Sequence, residues 1–293
     1  MKYSYYPGCS MEGTGIEYHK SLTYVNGAIG MEFMEIPDWN CCGATAGHAV
    51  SKELGAALPA RNVALCERQN LGLPIVVPCA ACYSRMKYAV HMARSGESEA
   101  LSRLIEMPIK GDLDILSLLD AYGTAQAAAA IKAAVKKPLT GLKAACYYGC
   151  LFSRPAHITG TENVEDPQGM DEIIRLTGAE TVDWSFKTEC CGGAHHVDLP
   201  ENSRPLLHRI YKNARANGAE AIVTACPLCL MNLDMRQGAV NKEYSENFDI
   251  PVYFITELLA AAMGASLKEC GISTHFHPAS SLIERVISGK GEA

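Results

Sequence analysis

Apolar and polar positions along this chain follow two different periods. Short apolar runs, such as residues 73–77 and 219–225, are bounded by Pro, Gly or polar residues and predict buried strands. Longer stretches repeat apolar residues every three or four positions, as Tyr18, Leu22 and Val25 do, and these predict helices. Because strands and helices alternate throughout, the pattern favours an α/β fold in which small parallel sheets are covered by helices.

The predicted elements fill most of the chain. Strands are predicted at residues 2–6, 31–36, 73–77, 142–148, 181–184, 219–225 and 252–255. Helices are predicted at residues 16–30, 56–69, 83–94, 114–121, 125–137, 171–176, 201–217, 228–236 and 256–265. Pro59 falls in the first turn of the second of these helices, where proline is tolerated. We expect residues 95–138 to connect two halves of the chain, either as an exposed linker or as packed helix.

A set of five cysteines occurs twice, in the same order and at nearly the same spacing. The first cysteine set comprises Cys9, Cys41, Cys42, Cys79 and Cys82. The second cysteine set comprises Cys150, Cys190, Cys191, Cys226 and Cys229. Corresponding motifs are 141, 149 and 147 residues apart, so the chain is interpreted as a duplication with domains at 1–140 and 141–293. In each half, two of the three motifs follow a predicted strand, which places the cysteine loops at the carboxyl ends of strands, facing a shared cleft.

Composition narrows the class of protein. The 293-residue chain has a net charge of −6, 48% hydrophobic residues and no Lys/Arg cluster, so nothing favours nucleic acid or an anionic membrane surface. No signal region and no apolar run of membrane-spanning length is present, which predicts a cytoplasmic protein. Thirteen cysteines in such a chain indicate reduced, metal-binding thiols rather than a disulfide framework.

Each set contains five cysteines, one more than the number of protein ligands that common metal sites take. A structural zinc ion takes four ligands, and a cubane iron–sulfur cluster takes four cysteines. Adjacent residues such as Cys41 and Cys42 direct their side chains apart and serve two irons more easily than one. The pattern therefore favours a non-standard multi-iron centre in each half, with a glycine after each pair that lets the backbone approach the sulfur atoms.

Other readings of the cysteines stay open. Cys66, Cys146 and Cys270 lie outside the duplicated sets and are predicted to be buried as small apolar side chains. A redox-active dithiol of the thioredoxin type would use only the Cys-x-x-Cys motifs and leave six cysteines unexplained. Paired structural zinc sites in a non-enzymatic scaffold are the third alternative.

The order Cys…Cys-Cys-Gly…Cys-x-x-Cys, present twice from Cys9 to Cys229, resembles the CCG-domain (cysteine-rich domain) family. Within that family it is similar to the B-type subunits of the soluble heterodisulfide reductases of methanogenic archaea. The resemblance implies a metal-binding oxidoreductase of methanogenesis, with one non-cubane [4Fe-4S] cluster on each cysteine set. It also implies the reaction, which is reduction of the coenzyme M–coenzyme B heterodisulfide to two thiols.

The duplication and the absent motifs bear on how electrons arrive. Reducing a disulfide takes two electrons, and two one-electron centres at one cleft would deliver one to each sulfur. The chain lacks both a ferredoxin-type cysteine run and a dinucleotide-binding Gly-x-Gly-x-x-Gly, so a partner must bring the electrons. The resemblance implies a multi-subunit complex with a small cubane-cluster subunit of the C type and a flavin subunit of the A type, with further hydrogenase or formate dehydrogenase modules. Relatives also occur in lactate- or glycolate-oxidising complexes and thiol:fumarate reductases, so an electron-relay subunit is the alternative.

Candidate substrate and proton-transfer residues lie beside the cysteine loops. The expected substrate is anionic, and the cations predicted to bind it are Arg85, Lys87 and Arg154. The residues predicted to donate protons to product thiolates are His48, His195 and His196. For each cation the alternative is a solvated surface charge. For each histidine it is a hydrogen bond to cluster sulfur.

Overall fold

The computed structural model describes residues 1–44, 46–195 and 198–289. The strands are β1 (Lys2–Tyr5), β2 (Glu32–Glu35), β3 (Ile75–Val77), β4 (Ile115–Ser117), β5 (Lys143–Tyr147), β6 (Glu180–Thr181), β7 (Ala221–Thr224) and β8 (Val252–Phe254). The helices are α1 (Ile16–Ile29), α2 (Gly47–Val50), α3 (Lys52–Gln69), α4 (Ala80–Met92), α5 (Ser98–Leu104), α6 (Leu118–Tyr122), α7 (Ala125–Ala134), α8 (Ala156–Thr159), α9 (Gly169–Arg175), α10 (Pro200–Ala216), α11 (Pro227–Tyr244), α12 (Ile255–Ala262) and α13 (Ser280–Ser288).

Two four-stranded parallel sheets repeat the same topology. Their strand orders are β2-β1-β3-β4 and β6-β5-β7-β8, so each strand has its counterpart in the other sheet. This confirms the predicted α/β fold with two pseudo-symmetric repeats. The two sheets lie on either side of residue 140 in the sequence, and the domain boundary at that residue stays a prediction.

The inner strands are the most buried parts of each sheet. Every residue of β3 and of β7 is buried, and helices cover these strands on both faces. Their unbroken apolar runs follow from that arrangement, because a parallel strand covered on both sides has no polar face.

The two repeats pack into one hydrophobic core. Helix α1 of the first repeat packs on α12 of the second, where the rings of Tyr18 and Phe254 stack with centroids 4.1 Å apart. A hydrogen bond of 2.6 Å joins the hydroxyls of Ser21 and Thr256 at the same interface. The reciprocal contact, α6 on α9, completes the pseudo-twofold arrangement. The cysteine loops are therefore held by an interface that both repeats share.

The predicted helix at residues 114–121 is wrong in its first half. Residues Ile115–Ser117 form β4, the edge strand of the first sheet, and α6 begins only afterwards. Ser117 caps α6: its hydroxyl accepts the Asp120 N–H at 3.1 Å, and the Asp120 carboxylate accepts the Ser117 N–H at 2.7 Å. A three-residue strand shows no periodicity, but this Ser-x-x-Asp capping box marks the helix start in the sequence.

Helix α3 is longer than predicted. It begins at Lys52, capped by the Ser51 hydroxyl, which accepts the Leu54 N–H at 3.0 Å. Pro59 therefore lies inside the helix and not in its first turn. No helix in the described part of the chain combines the length and apolarity that a membrane crossing needs.

Candidate metal centre at the junction of the repeats

Every cysteine motif follows a strand at the carboxyl edge of its sheet. In the first repeat, Cys9 follows β1, the adjacent pair follows β2, and Cys79 follows β3 as the residue that precedes α4. The second repeat copies this order, with Cys226 preceding α11. Because the strands are parallel, their carboxyl ends share one edge, and three loops from each repeat converge there.

The two cysteine sets are buried in the same pattern. The buried members are the second cysteine of each adjacent pair and both cysteines of each Cys-x-x-Cys motif: Cys42, Cys79, Cys82, Cys191, Cys226 and Cys229. The remaining members lie at the surface, with Cys9, Cys41 and Cys190 exposed and Cys150 half-buried. The adjacent cysteines thus point to different environments, as their spacing predicts.

Sulfur–sulfur contacts pair the thiols identically in both sets. The Sγ atoms of Cys42 and Cys82 lie 3.1 Å apart, and the corresponding Cys191 and Cys229 lie 3.6 Å apart. At the surface, the Sγ atoms of Cys9 and Cys41 lie 3.8 Å apart. Their counterparts, Cys150 and Cys190, lie close enough for each to shift the pKa of the other. Each set therefore contains one buried pair and one surface pair of thiols.

The remaining cysteine of each set meets its counterpart across the junction. The thiols of Cys79 and Cys226 lie close enough for each to shift the pKa of the other, although they belong to different repeats. The two sets therefore adjoin at the repeat junction.

A glycine brings the backbone against a buried sulfur in each set. Gly8 and Gly149, which precede the first cysteine of each set, adopt positive φ angles of 74° and 67°. A Cβ atom on Gly8 would lie 3.2 Å from the sulfur of Cys82, and one on Gly149 would lie 3.1 Å from the sulfur of Cys229. Only glycine combines this backbone conformation with this close approach.

A tyrosine hydroxyl anchors each adjacent cysteine pair. Tyr6 donates a hydrogen bond of 2.9 Å to the carbonyl of Asn40, and Tyr147 donates one of 2.6 Å to the carbonyl of Glu189. Each acceptor is the residue immediately before the pair. From the sequence alone, core packing is the expected role of these tyrosines. The sequence feature that indicates the anchoring role is their position, since each lies three residues before the first cysteine of its set.

A buried ion cluster, which sequence reasoning missed, supports the second cysteine set. Lys187 is 2% exposed, and its ammonium lies 2.7 Å from the Asp166 carboxylate and 3.2 Å from that of Asp171. The carbonyl of Lys187 accepts the N–H groups of Tyr148 and Gly149 at 2.8 and 3.1 Å. The cluster therefore fastens the loop that carries Cys150 to the loop that carries the adjacent pair.

Neighbouring thiols lower the pKa of one cysteine of each adjacent pair. The hydrogen bond from Cys41, followed by that from Cys82, lowers the pKa of Cys42 despite its burial. The hydrogen bond from Cys150 lowers the pKa of Cys190 in the same way. Thiolates, not thiols, are the ligands of metals.

The residues present fit an iron–sulfur centre in each repeat. All thirteen cysteines are free, and iron–sulfur clusters are held by cysteine thiolates. A cavity of about 80 Å³ is lined by all the cysteines of the second set. Across residues 1–44, 46–195 and 198–289, no three His, Cys, Asp or Glu side chains meet at the spacing of a site for one ion.

Two of the predicted site residues meet beside the first cysteine set. A guanidinium nitrogen of Arg85 lies 2.9 Å from Nδ1 of His48, and both side chains are accessible. Lys87 lies two residues further along α4, with its ammonium 5.7 Å from the centre of the Tyr83 ring.

Arg154 and His195 lie beside the second cysteine set. The Arg154 guanidinium donates to the carbonyl of Thr188 at 2.9 Å and pairs with Glu165 at 2.7 Å. His195 is exposed, and its Nδ1 lies 3.6 Å from the Asp198 carboxylate. His196, the remaining predicted proton donor, lies outside the described residues. The substrate-binding and proton-transfer roles of all six residues stay predictions.

The three cysteines outside the duplicated sets are buried, as predicted. Cys66 is 1% exposed, whereas Cys146 and Cys270 are fully buried. Cys146 lies within β5, opposite Val223 of β7, and burial raises the pKa of its thiol. Its side chain belongs to the core of the second repeat.

Comparisons with known proteins agree with the duplicated architecture. The sequence matches the cysteine-rich domain family CCG at residues 3–87 and again at 144–234. The 8-methylmenaquinol:fumarate reductase membrane anchor subunit of Wolinella succinogenes is 30% identical over 93% of this chain and 95% of its own length. The B-type subunit of the ferredoxin/F(420)H(2)-dependent CoB-CoM heterodisulfide reductase of Methanosarcina acetivorans is 29% identical over 92% of each chain.

A solved structure shares the fold. A hypothetical protein from Helicobacter pylori superimposes with a TM-score of 0.73 over 94% of this chain, which spans 52% of that chain, at 13% sequence identity. The family match covers both repeats and includes all ten cysteines of the two sets. The chain therefore belongs to the cysteine-rich CCG-domain family, of which it carries two copies.

Proposed function

We propose that this chain is the iron–sulfur subunit of a reductase complex and that its reaction is the two-electron cleavage of a disulfide. The substrate we propose is the coenzyme M–coenzyme B heterodisulfide, which consumes two electrons and two protons and gives two thiols. The observation that carries the proposal is the proximity of Cys79 to Cys226, each of which shifts the pKa of the other. It sets two five-thiol groups side by side, where one disulfide reaches both.

Each cysteine set would hold one non-cubane [4Fe-4S] cluster, which supplies one electron at a time when bound. Within this proposal, the buried thiols of each set anchor the centre in the protein. The surface pairs, Cys9 with Cys41 and Cys150 with Cys190, form its accessible side. A substrate approaching from solvent therefore meets the surface pairs first.

Two of the proposed proton donors, His48 and His195, lie on that accessible side. His48 contacts Arg85, and this guanidinium would attract an anionic substrate while it orients the imidazole. His195 lies near the second set, where its charge would help to lower the pKa of Cys190, after the stronger hydrogen bond from Cys150. Histidine is the side chain best suited to deliver a proton to a departing thiolate near neutral pH.

Electrons must come from partners, and the names of the relatives support a multi-subunit setting. The Methanosarcina relative is named as one subunit of a heterodisulfide reductase, and the Wolinella relative is named as a subunit of a fumarate reductase. We propose a small cubane-cluster subunit and a flavin subunit as the direct partners. Hydrogenase or formate dehydrogenase modules would be further sources of electrons.

Disulfide-dependent oxidation of reduced viologen by the anaerobically assembled complex tests this function. The proposal expects oxidation that stops when the heterodisulfide is exhausted, with two thiols formed per disulfide. A complex with a full complement of iron that reduces no disulfide would refute it.

The relative in Wolinella succinogenes favours a second candidate, an electron-relay subunit that never binds a disulfide. That relative is 30% identical and belongs to a fumarate reductase by name. In this case fumarate, or a hydroxy acid such as lactate or glycolate, would react at a partner subunit. Reduction of fumarate, or oxidation of a hydroxy acid, by a complex that is inert toward disulfides would favour the relay.

A further inference from the structure

A cavity of about 380 Å³ lies between the two repeats, beside the second cysteine set. On one side it is lined by Lys87 of α4 and by Asp120 at the start of α6. On the other side it is lined by residues 148–169, including Ser153 in the turn that follows Cys150. This volume is in the range of sites for small molecules, and the cavity lies at the carboxyl end of β4, where ligands bind in open α/β folds.

The pseudo-twofold equivalent of this cavity is filled by the chain itself. The positions equivalent to Lys87 and Asp120 are Asp234 on α11 and Glu257 on α12, because the two helices follow equivalent motifs. The imidazole of His275 lies 2.8 Å from the Glu257 carboxylate. The segment at 271–277 therefore occupies the place where the other repeat has a cavity.

Backbone contacts hold that segment in place. The N–H groups of Phe276 and His277 donate to the Asp234 carboxylate at 2.7 and 3.0 Å. Gly271 approaches Glu17 so closely that a Cβ atom would lie 2.4 Å from the Glu17 Cβ. The fold thus contains two equivalent inter-repeat spaces, one filled by polypeptide and one open.

The open cavity contains polar groups that lack protein partners. The side chain of Ser153 is 1% exposed, and its hydroxyl has no hydrogen-bond partner among the described residues. A buried hydroxyl without a partner is costly, so its partner is expected to come from a ligand. Within the described chain no carboxylate pairs with Lys87, whose ammonium lies over the Tyr83 ring. The carboxylate of Asp120 is already engaged, since it accepts the N–H and the hydroxyl of Ser117 at 2.7 and 2.8 Å.

The cavity adjoins the proposed reaction centre. Tyr148 lines both this cavity and the small cavity among the thiols of the second set. Residues 150–153 form the wall between them, with Cys150 and Leu151 on the cysteine side and Phe152 and Ser153 on the other. A molecule whose sulfur lies at the second set has its remaining atoms within reach of this space.

We propose that the open cavity binds the far, anionic end of one half of the disulfide substrate, with Lys87 and Ser153 as its ligands. This inference rests on the proposed function and specifies its substrate class. One thiol half is elongated and ends in a carboxylate, phosphate or sulfonate. The other half has no such space, because the equivalent position is filled by residues 271–277. The asymmetry of the two spaces therefore selects a disulfide with unlike halves.

Two substitutions in the assembled complex test the assignment. Lys87→Met keeps the length of the side chain and removes its charge, and Ser153→Ala removes only the hydroxyl. The substrates are two disulfides that differ solely at the far end of the longer half, one anionic and one with a neutral amide. Lys132→Met, on α7 and outside the cavity, is the matched control.

For Lys87→Met we expect KM for the anionic disulfide to rise about tenfold, the usual effect of losing one charge-assisted hydrogen bond. Neither kcat nor KM for the amide should change more than about twofold. Ser153→Ala should raise KM as well, without lowering the midpoint of thermal unfolding. A purely structural serine would leave KM unchanged.

Calorimetric titration with the anionic thiol product gives a second readout that needs no turnover. Binding to the parent complex should weaken about tenfold in Lys87→Met, and it should be unchanged in Lys132→Met. If the complex reduces the disulfide and neither Lys87→Met nor Ser153→Ala changes KM, the cavity assignment is wrong while the proposed function stands. A complex that reduces no disulfide would overturn the proposed function, whereas the titration would still test the cavity. A peptide of a partner subunit found in the cavity would also overturn the inference.

Discussion

Replacing Gly8 with alanine should remove one iron–sulfur centre and leave the other. Gly8 has a φ angle of 74°, and an added Cβ would lie 3.2 Å from the sulfur of Cys82 and 3.3 Å from the Tyr6 ring. The left-handed backbone conformation costs an alanine about 1–2 kcal/mol. Displacing tightly packed neighbours typically costs a further ~1–3 kcal/mol. The total cost of about 2–5 kcal/mol falls on the loop that carries Cys9, next to a buried sulfur of the same set.

Two other glycines make this prediction specific. Gly149 occupies the equivalent position in the second repeat, where a Cβ would lie 3.1 Å from the sulfur of Cys229. Gly141 has a φ angle of 88° but no atom within 4 Å of an added Cβ. The Gly141→Ala variant therefore carries the backbone cost without the sulfur contact, and it should lose stability but no iron.

The assay is iron and acid-labile sulfide per chain after anaerobic purification, together with thermal unfolding. Two four-iron clusters give about eight irons per chain. Gly8→Ala and Gly149→Ala should each retain roughly half of this amount, which follows from one remaining four-iron cluster. Full iron content in both variants would refute the reasoning, and so would an equal loss of iron in Gly141→Ala.

Three further predictions concern the elements that support the site. Lys187→Met should lower the free energy of unfolding by about 3–5 kcal/mol, because it leaves the buried Asp171 carboxylate without its buried cation. Chemical denaturation measures this change. The control is Arg175→Gln, which alters an exposed partner of Asp171 and should lower the free energy of unfolding by less than about 1 kcal/mol. Tyr147→Phe should lower the free energy of unfolding by about 1 kcal/mol, because it removes the hydrogen bond to the loop before Cys190. Amide hydrogen exchange in that loop should become faster, and unchanged exchange would contradict the anchoring role. Burial disfavours charge on His275, but the carboxylates of Glu257, Asp234 and Glu17 together outweigh burial and raise its pKa to about 9. The stabilising contribution of His275 is therefore complete below the unfolded pKa of about 6.5 and is lost as pH rises through 9. The unfolding temperature should therefore fall between pH 6.5 and 9 more steeply in the parent protein than in His275→Gln, and equal slopes would count against this assignment.

Much of the fold follows from the sequence because its main signals are long or repeated. The apolar runs that became β3 and β7 are buried on both faces, so their hydrophobic pattern has no polar interruption. The duplicated cysteine spacing also predicts that two equivalent sheets carry equivalent loops. The edge strand β4 was missed because three residues carry no period, and their apolar neighbours continue into α6.

The candidate site was predictable in its membership but not in its contacts. Spacing alone indicates that ten cysteines form two sets. It does not indicate that Cys79 and Cys226 lie near each other, because their proximity depends on how α1 and α12 pack the repeats together. The buried Lys187 also escapes sequence reasoning, since its carboxylate partners come from a loop and a helix outside any motif.

Residues 271–277 fill one of the two inter-repeat spaces and leave the other open, and only the tertiary structure shows this difference. Asp120 and Glu257 occupy the same position at the start of their helices, and each carboxylate accepts the backbone N–H of the residue before the helix, so the local sequence treats them alike. Only the path of the chain after α12 returns His275 to one of them. The asymmetry that we connect with unlike substrate halves therefore lies outside what duplicated motifs reveal.

The central claim is that the two cysteine sets hold two multi-iron centres next to each other at the repeat junction. Anomalous diffraction at the iron edge, from crystals grown without oxygen, tests it most directly. The account predicts two multi-iron peaks, one within each cysteine set, on either side of the junction where Cys79 and Cys226 adjoin. Isolated single ions, or iron bound by only one of the two sets, would contradict it.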